Sequence, residues 1–167
     1  MAKKKKKKSN LGKILSFAAI VFGVVAVAMI FVAAVKTPNV EFLGKNIEGE
    51  GLSGLKIAFG YSEENLECLS FSTFALMPYV LALVGTVLTV LNTFGKKSSK
   101  LFDFISMVAF VAAGVMFFLM PGFIVFAETL TGIVLKAIEW ELAIGAIVSG
   151  ACSILAGTAV AVKTFKK

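Results

Sequence analysis

Long uninterrupted runs of apolar residues dominate the hydrophobic pattern of this chain. Four runs reach the length of about 20 residues that a helix needs to cross the hydrocarbon core of a bilayer. They cover residues 14–35, 71–94, 101–127 and 140–162. As one helix, the third run would extend about 40 Å, and we expect it to kink near Pro121 and to project beyond the lipid. The pattern predicts an all-α membrane fold, a bundle of four transmembrane helices.

The segments between these runs follow from the number of spans. Four spans return the chain to the side of the membrane on which it began, so residues 1–13, 95–100 and 163–167 share one side. Residues 36–70 form a long loop on the other side, and residues 128–139 form a short connection there. We expect the fourth helix to start early, near Gly132, and to form a second projecting end there.

The longer of these loops shows a period of two in its apolar residues. Large apolar side chains occupy every second position of Leu55–Tyr61, which is typical of a half-buried strand, and Val40–Phe42 alternates briefly. The stretch GKNIEGEGLSG between them is typical of turns. We therefore expect a small antiparallel sheet or hairpin that packs on the ends of the helices. The alternative, an unstructured loop, would be unusually long for a compact domain.

The distribution of lysine predicts the orientation of the bundle. Every basic residue is a lysine, and net charge is +7. The loop 36–70 has three lysines against six glutamates. Lysine concentrates on the cytoplasmic side of membrane proteins, so we expect both termini in the cytoplasm and a multi-pass location in the plasma (cytoplasmic) membrane. The membrane-orienting residues are Lys3, Lys4, Lys5, Lys6, Lys7, Lys8, Lys13, Lys96, Lys97 and Lys100.

The N-terminal run of six lysines has several interpretations. Near anionic headgroups each lysine gains about 1 kcal/mol, so the cytoplasmic face of the bilayer is the expected partner. A signal peptide is the alternative, but the apolar run that follows exceeds the usual h-region of about 7–15 residues. A nucleic-acid partner is disfavoured, because no aromatic side chains interleave the lysines to stack on bases.

Candidate catalytic residues are scarce. The chain has no histidine and no arginine, which removes the commonest imidazole base and the usual bidentate clamp for phosphate. Asp103 falls in the first turn of the third span, where a carboxylate complements the helix dipole. Cys68 and Cys152 are expected to stay as thiols, because the fourth span places Cys152 inside the bilayer. We expect no catalytic residue, no cofactor and no metal.

Small residues recur at every fourth position of the fourth span. They are Gly145, Ser149, Ser153 and Gly157. On a helix these positions form one ridge without bulk, which lets two backbones approach closely where lipid gives no hydrophobic push. We expect this ridge to pack against another helix of the same bundle. A seam between two copies of the chain is the alternative.

The plan of the chain resembles that of the claudin-like tetraspan membrane proteins, by topology. Both have four spans, a long first outer loop, a short second one and a proline near the outer end of the third span. In that family the first outer loop carries a Gly-Leu-Trp motif and two cysteines. Here Gly54-Leu55 is followed by Lys56, and Cys68 stands where the second cysteine would be. The resemblance implies a structural or accessory role through lateral and outer-face contacts.

The sequence therefore predicts a small, non-enzymatic integral membrane protein that acts by helix–helix and outer-face contacts. Its expected partners are the lipid bilayer and either a second copy or another membrane protein. The alternative is a subunit of an oligomeric small transporter or channel. A pore would then have to form between copies, because four tightly packed helices leave little lumen, and proton or ion pathways usually show an acid or base at midspan.

Overall fold

Helices dominate the computed structural model, which describes residues 2–38, 40–42, 45–47, 51–63, 66–95 and 99–165. The α-helices are α1 (Ala2–Ala28), α2 (Gly54–Phe59), α3 (Thr73–Phe94), α4 (Lys100–Phe118), α5 (Leu130–Lys136) and α6 (Ile144–Phe165). Among the described residues, four helical segments are long and apolar enough to cross a membrane. These candidate spans are Leu11–Phe31, Thr73–Phe94, Lys100–Phe118 and Ile144–Phe165.

Short antiparallel strands connect the long helices at one end of the bundle. The strands are β1 (Ala33–Lys36), β2 (Val40–Phe42), β3 (Lys45–Ile47), β4 (Gly51–Ser53), β5 (Tyr61–Glu63), β6 (Leu66–Leu69) and β7 (Glu141–Leu142). One sheet has the order β4-β1-β7, while β2–β3 and β5–β6 form two-stranded pairs. The predicted small antiparallel sheet is therefore present, and the predicted strand at Val40–Phe42 is also present, in the separate β2–β3 hairpin.

The four long helices run antiparallel to their neighbours. α1 packs against α3 and α6, and α4 packs against the same two helices, so the four close into a bundle. We call the end where α1 leads into β1 and β7 leads into α6 the sheet end. The N-terminal part of α1, the α3–α4 connection and the end of α6 lie at the opposite end, as the topology expected from the sequence requires.

The first and fourth spans differ from their predicted bounds at the sheet end. Beyond Ala28 the first span continues as a short 3-10 helix, Met29–Phe31, and then becomes strand β1. Ala34 and Val35 are fully buried there. The β7 strand precedes the fourth span, which begins at Ile144 and continues to Phe165. Hydropathy predicts helix at both junctions because a buried strand and a buried helix are equally apolar.

The segment Leu55–Tyr61 is mostly a helix, so its predicted strand is wrong. Ser53 caps α2, because its hydroxyl accepts a hydrogen bond from the Lys56 amide at 3.4 Å. Gly54, Ile57 and Ala58 are buried at the i, i+3 and i+4 positions of a helix. Gly60 ends the helix with a φ of 88°, a backbone conformation that favours glycine.

The third span is also shorter than predicted, because α4 ends at Phe118. A 3-10 helix, Met120–Phe123, contains Pro121, whose ring and missing amide hydrogen disfavour continuation of an α-helix. The chain then runs beside β6, with the Ser70 amide donating to the Val125 carbonyl oxygen at 3.0 Å. The long kinked helix over 101–127 is therefore wrong. The connection 128–139 contains the separate helix α5, which also replaces the early start predicted for the fourth helix.

The centre of the bundle is filled by one aromatic ring. Phe110 of α4 is fully buried, and a glycine from each of the other long helices lies against it. A Cβ atom on Gly23, Gly85 or Gly157 would come within 3.0, 3.2 or 3.3 Å of an atom of the Phe110 side chain. The absence of side chains at these glycines lets four helices close around one ring.

Replacing Phe110 with alanine should lower the free energy of unfolding by about 3–5 kcal/mol, because the bundle would be left with a central cavity. Unfolding of the purified protein in mild detergent measures this loss. Phe104→Ala is the matched control on the same helix, since the Phe104 side chain is exposed. Equal losses for the two variants would contradict the central position of Phe110.

Candidate functional site

A buried ion pair joins the third and fourth spans at the end opposite the sheet. Lys163 Nζ lies 2.7 Å from Asp103 Oδ1, and the two side chains are 6% and 1% exposed. Asp103 belongs to the first turn of α4 and Lys163 to the last turn of α6. Burying a charge in an apolar bundle costs free energy unless the charge is paired. The attraction between the two residues therefore offsets the cost of burying each of them.

Asn92 extends this pair to α3. Its Nδ2 donates to Asp103 Oδ1 at 2.6 Å and to the Ser99 carbonyl oxygen at 3.0 Å. Its Oδ1 accepts a hydrogen bond from the Ser99 amide at 2.7 Å. One buried amide thus holds the beginning of α4 against the end of α3. We call Asn92, Asp103 and Lys163 the buried polar triad.

A second polar contact lies one turn deeper between α3 and α4. The hydroxyl oxygens of Thr89 and Ser106 are 2.5 Å apart. Both hydroxyls also lie within hydrogen-bond distance of the Gly85 carbonyl oxygen, at 2.8 Å from Thr89 and 2.7 Å from Ser106. Hydroxyls that bond to a helix carbonyl satisfy themselves inside a bundle. The contact therefore adds to the attachment of α3 to α4.

The first span contributes a buried polar residue at the same level. Ser16 of α1 is buried and lies one turn before Ala19. Ala19 packs with Val160 in one apolar cluster, and Lys163 lies one turn after Val160. Because α1 and α6 are antiparallel, Ser16 and Lys163 occupy the same level of the bundle. Each of the four long helices thus brings a buried polar side chain to this end.

The sequence pattern does not indicate this site, because its members lie on three different helices. The predicted tail over 163–167 begins too early, since Lys163 lies inside α6 and is buried. The sequence indicates only the helix dipole as a partner of Asp103, whereas a lysine and an amide contact its carboxylate. A polar residue near the same end of three different spans was the pattern that could have indicated the site.

The predicted packing ridge of α6 lies inside the bundle. Its members Gly145, Ser149, Ser153 and Gly157 are all buried. Ser149 Oγ donates to the Ala26 carbonyl oxygen of α1 at 3.0 Å. A Cβ atom on Gly145 would come within 2.6 Å of the Ala33 carbonyl oxygen. The ridge faces other elements of the same chain, and close approach of α1 and α6 depends on it.

The predicted membrane-orienting lysines fall into three groups. Lys3 to Lys8 belong to the first turns of α1. Lys13 is exposed on α1, and Lys100 is exposed as the first residue of α4. Lys96 and Lys97 lie outside the described residues. The described lysines of this set are thus on the side of the bundle opposite the sheet, the same side as the buried polar triad.

The sheet end is attached to the bundle by a tyrosine. Tyr79 of α3 is buried and meets the Phe117 ring of α4 edge-on, with centroids 4.8 Å apart. A Cβ atom on Gly54 would clash with Tyr79 Oη. The close approach of α2 to α3 therefore requires a glycine at position 54, the glycine that precedes Leu55 and Lys56.

Other chemistry is sparse across the described residues. The ion pair between Lys36 and Glu141 on the sheet is exposed, with 3.8 Å between Lys36 Nζ and Glu141 Oε2. Cys68 and Cys152 are both thiols. No group of three or more His, Cys, Asp or Glu side chains that could hold a metal ion occurs within the described part of the chain.

Comparison with known proteins leaves the family of this chain open. No protein-family model matches the sequence, and no curated protein matches it significantly. The class rests on the four long apolar helices, which match in number, length and composition those of a four-span membrane protein.

Replacing Asp103 with asparagine should lower the free energy of unfolding by about 3–5 kcal/mol, because Lys163 would be left as a buried unpaired charge. The double variant Asp103→Leu, Lys163→Met should recover most of this loss, since apolar residues of similar size need no partner. Unfolding in detergent measures both changes.

Glu141→Gln is the control for the ion-pair experiment. It breaks an exposed pair, which contributes at most about 1 kcal/mol. If Asp103→Asn cost no more than Glu141→Gln, the buried polar triad would not stabilise the bundle.

Proposed function

We propose that this protein is an integral membrane protein with four spans, both termini in the cytoplasm and the sheet outside. The length and apolarity of the four helices support insertion. So do the large apolar side chains on their outer faces, such as Val80, Leu83 and Val87 of α3, which are exposed. In water a surface of this kind would favour aggregation. The concentration of lysine on one side supports the orientation.

The proposed role is structural or accessory, without enzymatic activity. The observation that carries it is the close packing of the four long helices around Phe110. Phe110 lies between the four long helices, and the charges of Asp103 and Lys163 form an ion pair with each other. A bundle with a packed centre offers its surfaces, rather than a passage, to other molecules. We therefore assign the activity of the protein to contacts made by its outer faces.

One such face lies outside the candidate spans. Leu130, Ile133 and Val134 of α5 are 85%, 61% and 63% exposed. Their i, i+3 and i+4 spacing places them on one side of the helix. Exposed apolar side chains in a cluster indicate a surface for protein or lipid contact. This face supports a role through outer contacts with another membrane protein or a second copy.

The claudin-like character of the chain is part of this proposal, at the level of topology. The sheet is built mainly from the connection between the first two long helices, and β7 adds a strand immediately before the fourth. The proposed partners are the bilayer with its anionic cytoplasmic headgroups, and a membrane protein or a second copy. We propose no nucleic-acid partner. A subunit of an oligomeric transporter or channel is the alternative, and it would conduct between copies.

The orientation predicts the outcome of a labelling experiment. Single cysteines at Ser9, Ser53 and Ser98, in a background without Cys68 and Cys152, would be exposed to an impermeant thiol reagent on intact cells. Only the Ser53 position should react, because the lysine-poor side faces outward. After the membrane is opened, all three positions should react, which controls for access. Labelling at Ser98 on intact cells would contradict the proposed orientation.

The structural role predicts no solute flux. The purified protein in proteoliposomes should leave ion and proton permeability at the level of protein-free vesicles. Phe110→Ala serves as the informative comparison, because it removes the side chain that fills the centre. Flux that rises with the amount of wild-type protein would favour the transporter or channel alternative.

A photoreactive residue at Ile133, compared with one at Lys136 on the same helix, tests whether the apolar face of α5 contacts a partner in native membranes.

A further inference from the structure

A groove lies between α4 and α6 on the outside of the bundle. It has a volume of about 350 Å³ and is lined by Met107, Val108, Val111, Ala112, Gly157, Thr158 and Ala161. The Thr158 hydroxyl donates to the Leu155 carbonyl oxygen of its own helix at 2.8 Å. The lining therefore offers apolar surface, and its one hydroxyl is already engaged.

Small residues on α6 create this groove. Gly157 and Ala161 remove bulk from one wall, while Met107 and Val111 of α4 form the other. The floor is closed, because a Cβ atom on Gly157 would come within 3.1 Å of Val111 Cγ2. The result is a groove along the contact between the two helices, open to the surroundings of the bundle.

We propose that this groove binds one acyl chain of an anionic phospholipid. The inference rests on the proposed function, since the groove must face the bilayer. Water is a poor occupant, because a bound water needs two to four polar partners and the lining supplies none that is unengaged. Hydrocarbon matches the lining and surrounds the outer faces of the spans.

The side chains beside the groove favour an acyl chain over a second copy. Phe104, Leu155 and Val162 are exposed. By helical spacing Phe104 is one turn from Met107 on α4, and Leu155 and Val162 are each one turn from Thr158 on α6. Close packing of two helices in lipid requires small residues across the contact, and a helix with its side chains is about 10–12 Å wide. Those large side chains keep another helix at a distance. An acyl chain is thin enough to lie between them.

The charge above the groove favours an anionic headgroup. Lys100, Phe104, Met107 and Val111 follow the i, i+4, i+7 and i+11 spacing of one helix face. Lys100 is exposed, and it lies about 10 Å from Met107 along the helix axis. The nearest acid, Asp103, is buried and paired with Lys163, so it does not neutralise Lys100. A lipid whose chain fills the groove can therefore place its phosphate near this lysine.

Photolabelling tests the groove. The full chain would be reconstituted in phosphatidylcholine vesicles that contain phosphatidylglycerol with a diazirine midway along one acyl chain, and the labelled residues would be mapped by mass spectrometry. Labels should concentrate in residues 107–112 and 157–161. Ala161→Leu fills the groove and should reduce this labelling severalfold. Ala151→Leu is the matched control, because Ala151 is exposed on α6 outside the groove.

The headgroup is tested with the same probe on phosphatidylcholine. Lys100→Gln should lower the preference for the anionic probe about fivefold, which corresponds to ~1 kcal/mol for one lysine near an anionic surface. Thr158→Phe is a second groove-filling variant at an exposed position, and it should repeat the effect of Ala161→Leu.

Three results would overturn the inference. The first is labelling spread evenly over the exposed faces of all four spans, and the second is labelling that both filling variants leave unchanged. The third is a cross-link between two copies through groove residues, which would make the occupant a protein. Extraction of the protein from vesicles by alkaline carbonate would be a different failure, because it would contradict the membrane insertion on which the proposed function rests. The groove proposal would then fail together with the proposed function.

Discussion

The pairing of Lys163 with Asp103 is the constraint on which one end of the bundle depends. Neither charge can be left alone in an apolar interior, because an unpaired buried ion costs several kcal/mol. The pair forms only when α4 and α6 are in register, and Asn92 adds the same requirement for α3. A buried ion pair adds little net stability over an apolar replacement. We infer that its main effect is to disfavour other arrangements of the helices.

The middle of the bundle is held together by close packing and a hydrogen bond instead of by charges. In the bilayer that we propose for this protein, lipid tails are as apolar as leucine. Helices there gain little from burying apolar surface and associate through close packing and hydrogen bonds. Phe110 with its three glycines supplies the packing, and the Ser149 hydroxyl supplies a hydrogen bond between α6 and α1. Packing in the middle and pairing at the end thus act on the same four helices. Together they explain how a chain with few polar residues defines one bundle.

The sequence predicted the features that depend on composition along the chain. Four long apolar helices, the strand at Val40–Phe42 and a small antiparallel sheet all follow from hydropathy and local pattern. Features that depend on contacts between distant segments were missed. In Leu55–Tyr61 the apolar residues fit two periods, and contact of Gly54 with Tyr79 favours the helix. α4 ends where it does because Pro121 disfavours continuation and the chain beyond it pairs with β6. Asp103 and Lys163 are 60 positions apart, so no local pattern relates them.

The central strand of the sheet has a consequence for how the protein is made. β1 follows directly after the first span, yet its second partner, β7, lies immediately before the last one, with Val35 opposite Leu142 and Lys36 opposite Glu141. A ribosome adds about 5–20 residues each second, so β1 is synthesised several seconds before β7 exists. During that interval one edge of β1 is unpaired, and an unpaired edge is the part of a sheet that other chains can bind. The edge closes only after β7, which directly precedes the fourth long helix, has been synthesised. A nascent chain that stops before this point still exposes an unpaired strand edge, which distinguishes it from the complete chain.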